Sequence, residues 1–224
     1  RISFTNTLEK TYHIFYLLCK NRDKLEKFNI QAVTDYTLLN NSKYDEHLEE
    51  FENLEHLINV LNQFEFNDNL QDRIFATLKI ILELLNCSDK ISLELTLEKC
   101  FNELTIIELN KEDLFNKLTT KVYKVSGELI IKKLEETDII VNIRTFCEDS
   151  YENIFNTIIN KVSGSLGNKT DKYIGILDIF GFEVFDSNGY EQLCINYTNE
   201  MLQQIYNQYV FKSEQLEYEK EKIE

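Results

Sequence analysis

The 224 residues contain no proline, and five of the six glycines lie between Gly164 and Gly189. Proline and glycine are the usual helix breakers, so apart from Gly127 nothing interrupts helices through residues 1–160. Left-handed backbone, which glycine adopts most readily, is expected to concentrate in the one glycine-rich stretch. The chain is therefore expected to be a mainly helical body leading into a single region of unusual turns.

The residues are 43% hydrophobic, with fifteen Phe and twelve Tyr. Such a chain can bury a core, alone or as part of a larger domain. A net charge of −15 argues against nucleic acid or anionic membrane as partner, since both require a basic face. Cys19, Cys87, Cys100, Cys147 and Cys194 sit in apolar helical surroundings, without C-x-x-C or Cys/His ligand spacing. They are expected to be buried free thiols in a reducing compartment. His13, His47 and His56 are scattered, and no run approaches the ~18 apolar residues of a membrane span. A cytoplasmic protein is expected. The chain starts at Arg1 and ends inside a charged helical pattern, which reads as a segment of something longer.

Apolar spacing predicts the helices. Leu8–Cys19 holds Tyr12-His13-Ile14-Phe15-Tyr16-Leu17-Leu18, apolar all round as in a core helix. Asp35–Ser42 is rich in Asn and Ser and reads as a loop. Tyr44–Gln63 places Leu48, Phe51, Leu54, Leu57, Ile58 and Leu61 on one stripe, with a solvated acidic face opposite. Asn69–Cys87 repeats this with Ile74, Phe75, Leu78, Ile81, Leu82 and Leu85. Ser88–Leu118 is read as two short helices and Asp138–Ser165 as another. Between them, Lys121–Ile131 alternates around Ser126-Gly127, which predicts a hairpin within residues 119–133.

The chemistry-bearing stretch begins at Tyr173. Tyr173-Ile174-Gly175-Ile176-Leu177 is a short apolar run suited to an internal strand at 173–178. It ends in Asp178, followed by Gly181 and Glu183, a D-x-x-G-x-E turn. A carboxylate at the carboxyl end of such a strand is where nucleotide-binding sheets place a group facing Mg²⁺. A glycine there lets a backbone N–H approach a phosphate oxygen. Asn188 then caps a helix, with Glu191 completing a capping box, and that helix runs unbroken to the chain end.

The string LDIFGFEVFDSNGYEQLCINYTNEMLQQ (177–204) resembles the second switch and relay helix of the myosin motor head. EKTYHIFYLLC resembles the helix after that family's first switch, where His13 is a packing or hydrogen-bonding residue. Asp35-Tyr36 through Asn40 resembles its D-Y-x-x-L-N segment, and NLQDRIFATLKIILELLNC a core helix of the upper actin-binding subdomain. Lys121 stands where an Arg is usual, keeping the charge without the planar fork. Asn142–Glu148 replaces most of the family's A-R-D-A-L-A-K signature.

The resemblance implies a predominantly α-helical α/β fold, part of a P-loop NTPase-type motor domain with a hairpin and one core strand. Residues 1–172 would be the upper actin-binding subdomain, 173–183 the strand and second switch, and 184–224 the relay helix. Asp178 would hold a water on the Mg²⁺ of MgATP. The Gly181 N–H would donate to the γ-phosphate, with Phe180 beside it, and Glu183 would pair with a first-switch Arg and position the attacking water. Lys121, Lys124 and Glu128 would face filamentous actin. Glu128 falls at a position that is acidic or phosphorylatable in the family. Asn199 would bond back to the switch turn, and Ile205-Tyr206 would replace a Phe-Phe pivot. No G-x-x-x-x-G-K-[ST] loop or Asn-rich first switch occurs in the chain. The resemblance places both before Arg1, and the relay loop, lower subdomain and light-chain-binding lever after Glu224. The other class of protein compatible with these residues is a non-catalytic helical scaffold derived from such a head. A GTPase-like module is disfavoured because no N-K-x-D string is present.

Overall fold

A computed structural model describes residues 11–40, 53–125, 128–167, 172 and 174–222. It contains two compact units, residues 1–168 and 169–224. Predicted features at residues 8–10, 41–52, 126–127 and Tyr173 lie outside the described residues.

In the first unit, α1 (His13–Lys20) leads through 3₁₀ turns at Arg22–Phe28 and Val33–Asp35 to the short α2 (Thr37–Asn40). The loop predicted for Asp35–Ser42 is thus helical as far as Asn40. Tyr36 explains this: it is buried, its hydroxyl accepts from Gln31 N at 3.0 Å, and tertiary packing overrides local turn propensity. Then come α3 (Leu54–Gln63), α4 (Asp68–Leu84), α5 (Lys90–Lys99), α6 (Phe101–Ile106) and α7 (Lys111–Thr119). Ser88–Leu118 therefore holds three helices rather than two, because the chain turns at Cys100 without glycine or proline to announce it. The hairpin β1 (Thr120–Val125) and β2 (Glu128–Lys133) follows, then the long α8 (Glu136–Ser165).

Without proline, side-chain caps set the helix starts. Asn53 accepts from Glu55 N, Asn67 from Leu70 N, and Asn110 from both Glu112 N and Asp113 N. Asp89 and Ser92 bond reciprocally as a capping box. Each such cap contributes about 1 kcal/mol. The stops are less expected. Glu65 and Glu108 (both φ 59°) and Asn29 (φ 45°) take left-handed conformations at helix ends where glycine is usual. Left-handed backbone is therefore not confined to the glycine-rich stretch. Helix termination by packing forces it on non-glycine residues, at about 1–2 kcal/mol each.

The core is built on α4. Ile74, Phe75, Leu78, Ile81 and Leu82 are buried as the spacing predicts, and so are Ala76, Ile80 and Leu84 on its other sides. Helices α5, α6 and α8 and the 3₁₀ turn at Arg22–Phe28 pack around it. From Leu78 to Leu84 every residue of α4 is buried, the polar ones included. Lys79 (1% exposed) forms an ion pair with Glu103 (4%) at 3.3 Å, and Glu83 joins Lys99 at 2.8 Å and the Tyr36 hydroxyl at 3.3 Å.

Cys19, Cys100 and Cys147 are buried as expected, Cys87 is half-buried, and Cys194 is exposed. Burial is the leading cause that lifts Cys19 to about 12 and Cys100 to about 11, and it drives Cys147 upward as well. A raised folded-state value keeps each thiol neutral. The stability it confers is complete below the unfolded thiol value, about 9, and is lost as pH rises through 11–12. The unfolding midpoint should not respond to these thiols below pH ~9 and should fall above it. A thiol reagent at neutral pH should modify Cys194 rapidly and the three buried thiols only on unfolding. Rapid modification of all five would mean that the α4 core is not closed.

In the second unit residues 174–178 of the predicted strand are not paired as a strand. Residues 174–180 belong to no ladder, and Ile174 and Ile176 are more than 90% exposed. A strand needs a neighbour's N–H and C=O groups, and the described residues offer none here. Helix α9 (Tyr190–Tyr206) follows, then a π-helical turn at Asn207–Lys212 and α10 (Ser213–Glu221). The helix predicted to run without interruption thus carries a wide turn, around which Tyr206 and Phe211 pack edge-on at 5.9 Å.

Among the described residues no helix is long and apolar enough to cross a membrane.

Candidate functional site

The turn 178–189 is held against α9 by amide side chains. Asn199 Nδ2 donates to the Phe180 carbonyl at 2.9 Å and to Ile195 O at 2.9 Å on its own helix. Asn196 makes a reciprocal pair with Glu183, accepting from its N–H at 2.7 Å and donating to its carbonyl at 2.8 Å. Gln192 Nε2 reaches the Glu183 carboxylate at 3.4 Å while its Oε1 accepts from Gly189 N at 2.8 Å. Residues 192, 196 and 199 are spaced four and three apart, so they form one stripe of the helix. Through that stripe the backbone position of the turn is tied to the rotation of α9.

The predicted cap shifts by one residue. Asn188 bonds back to Phe185, accepting from its N–H at 3.0 Å and donating to its carbonyl at 2.7 Å. The helix therefore starts from Gly189, with Gln192 supplying the capping oxygen in place of Glu191.

Asp178, Phe180 and Gly181 are exposed on this turn, and Glu183 is half-buried against the amide stripe. A Cβ at Gly181 would meet no atom of the chain within 4 Å. Packing within the chain thus gives no reason for glycine there. The Gly181 N–H and the Asp178 carboxylate have no bonding partner among the described residues. A donor, an anion and open space stand together on a turn that Phe180 O, the Glu183 backbone and carboxylate, and Gly189 N hold to the helix. Ile205 and Tyr206 lie half-exposed at the far end of α9, next to the π-turn. Sequence reasoning missed Gln192 and Asn196. The available signal was their spacing with Asn199.

The other predicted site residues are on the hairpin. Its register pairs Lys121 with Lys132, Tyr123 with Ile130, Val122 with Ile131, Lys124 with Leu129 and Val125 with Glu128. Lys121, Lys124 and Glu128 are all exposed, and the Lys121 ammonium lies 5.5 Å from the Tyr123 ring centre. Like charges placed directly opposite destabilise a two-stranded sheet. The Lys121/Lys132 pair is therefore a cost to this fold.

The profile of the myosin head (motor domain) matches residues 1–224. This chain belongs to the myosin head family. It is 34% identical to Myosin-1 of Saccharomyces cerevisiae, over all of the chain and 12% of that protein. It is 32% identical to Myosin-6 of Arabidopsis thaliana, over all of the chain and 16% of the relative. Myosin type-2 heavy chain 1 of Schizosaccharomyces pombe is also 32% identical, over all of the chain and 15% of its own length. The chain thus spans roughly an eighth to a sixth of these relatives. Its mostly helical architecture with a two-stranded antiparallel sheet is consistent with part of a myosin motor domain.

Proposed function

We propose that this chain is the switch-and-relay segment of an actin-activated myosin ATPase, working within a complete P-loop NTPase-type head. The observation that carries the reading is the amide stripe. It joins the turn 178–183 to α9 while the Asp178 carboxylate and Gly181 N–H remain uncommitted.

Asp178, Phe180 and Gly181 would then form this chain's part of the MgATP site. Bound Mg²⁺ supplies charge neutralisation on the β- and γ-phosphate oxygens. The chain's contribution to the metal would be the Asp178 carboxylate acting through water. The Gly181 N–H is the γ-phosphate donor, and Glu183, held by Gln192 and Asn196, is placed to pair with a first-switch Arg and orient the attacking water. When the γ-phosphate leaves, Gly181 loses its acceptor. The turn's shift then passes through Asn199 and Asn196 into α9 and on to Ile205-Tyr206, an order or position change driven by phosphate contact.

Residues 1–172 serve as the upper actin-binding subdomain, with Lys121, Lys124 and Glu128 on the filament contact. Residues 173–183 are the second switch and the apolar run before it, a run that would become a ladder strand only against neighbouring strands of a complete head, and 184–224 are the relay helix. Light chains belong to a lever elsewhere in the protein, and the working location is the cytoskeleton within the cytoplasm.

The test is MgATP turnover, with and without filamentous actin, by a complete head carrying this segment. Hydrolysis accelerated by filaments is expected. A head that contains its phosphate loop yet neither binds nor hydrolyses ATP would overturn the motor reading in favour of a scaffold.

A further inference from the structure

The hairpin has an open outer edge. Leu134 N donates to Thr119 O at 2.9 Å, which sets the phase of the ladder. In that phase the pairs Lys121/Lys132, Tyr123/Ile130 and Val125/Glu128 exchange backbone hydrogen bonds. The N–H and C=O groups of Leu129, Ile131 and Lys133 consequently point away from β1. The sheet has only two strands among the described residues, so this edge of β2 is uncovered. Its side chains are unusual for an uncovered edge. Leu129 (69%), Ile130 (51%) and Ile131 (68%) form an exposed apolar run on both faces. Lys132 and Lys133 follow at one end.

Edge strands that must stay single are usually short, bulged or charged along their length. Here β2 carries charge only at its two ends, Glu128 beside the turn and Lys132 and Lys133 at the base, where Lys121 joins them. None of the three lysines pairs with an acidic side chain among the described residues. A cavity of about 450 Å³ opens at that base, lined by Lys117, Lys121, Lys132 and Lys133, with Glu135 and Asp138 also on its wall. In a chain of net charge −15 this is a local basic cluster beside an apolar strand.

We propose that the outer edge of β2 (Glu128–Lys133) binds an extended partner segment by strand addition. That segment is apolar at its centre and acidic at the end that meets Lys132 and Lys133. Backbone hydrogen bonds to Leu129, Ile131 and Lys133 supply affinity. The apolar run and the lysines set register and polarity. The inference deepens the reading of this hairpin as a partner contact by naming the form of the partner, and does not require ATP turnover.

Ile131 allows a sharp test, because its N–H points outward and takes no part in the β1–β2 ladder. Ile131→Pro removes the outward donor, whereas Ile131→Thr keeps it with a β-branched side chain. The probe is a short synthetic peptide of Val and Thr ending in two Asp, titrated by fluorescence anisotropy against the full chain. Ile131→Pro should weaken binding about tenfold or more, and Ile131→Thr by no more than about threefold. A copy of the peptide N-methylated at alternate residues should bind as weakly to the unaltered chain, which keeps the test valid if the proline variant misfolds. The proposal falls if the peptide does not bind, or if neither N-methylation nor proline weakens it. It falls also if the chain self-associates through this edge, seen as a dimer in sedimentation that Ile131→Pro abolishes. Filament co-sedimentation, run separately, tests the motor reading, and its failure would leave the peptide result standing.

Discussion

Gly181→Ala should leave the fold of this chain unchanged and lower ATP turnover of the complete head by about a hundredfold or more. The two halves of that expectation have separate grounds. A Cβ at Gly181 meets nothing within 4 Å, and the residue is not among those with positive φ, so neither clash nor backbone strain opposes alanine. Surface substitutions of this kind usually change stability by less than ~0.5 kcal/mol. The reading of the Gly181 N–H as the γ-phosphate donor requires backbone and phosphate to approach closely, and a methyl group there would hold them apart. Losing one donor of this kind typically costs about 10²–10³ in rate. Thermal unfolding of the variant chain and steady-state turnover of the variant head check the two halves independently. Unchanged turnover would remove Gly181 from the phosphate site. A lowered melting temperature would mean that the glycine serves the fold instead.

The second large effect lies in the core. Lys79→Ala should destabilise the chain by about 3–5 kcal/mol, read from the midpoint of denaturant unfolding. Lys79 is enclosed by α4's neighbours. Its ammonium faces the Glu103 carboxylate at 3.3 Å and the Cys100 sulfur at 3.5 Å. Removing it leaves a carboxylate 4% exposed without its cation, and the Glu103 Oε2 atom already has no hydrogen-bond partner. The cost comes chiefly from the abandoned charge. Replacing both groups together, Lys79→Met with Glu103→Leu, should therefore recover most or all of the loss. A single-variant loss below about 1 kcal/mol would show that water reaches the pair.

Much of this architecture is legible in the residues. The stripe Ile74, Phe75, Leu78, Ile81 and Leu82 predicts α4 to within a few residues of its observed ends, because three-and-four spacing is a property of one helix. Alternation around Ser126-Gly127 likewise predicts the hairpin and its strands. The polar contacts are harder to read. Gln192 and Asn196 look like solvated helix residues until the turn folds onto them, and only then do their amides meet the Glu183 backbone and carboxylate. Asn188 has the right chemistry to cap α9. It bonds to Phe185 instead because the turn brings that backbone within reach first. The strand predicted at 173–178 is unpaired over 174–178 for a related reason. Its apolar residues favour extension, but a ladder depends on a neighbour that no local pattern supplies.

The sequence by itself determined which stretches are helical, which faces are apolar, where the hairpin turns, and that Asp178, Gly181 and Glu183 stand in one short segment. These follow from forces acting across one to four residues along the chain. Tertiary structure alone decided that Lys79 would find Glu103, that Glu65 and Glu108 would accept left-handed backbone, and that Leu129–Ile131 would be left as an open edge. Those outcomes depend on distances through space between groups remote in sequence. There the enclosing core, and not the local pattern, determines which polar group is satisfied and which surface stays bare.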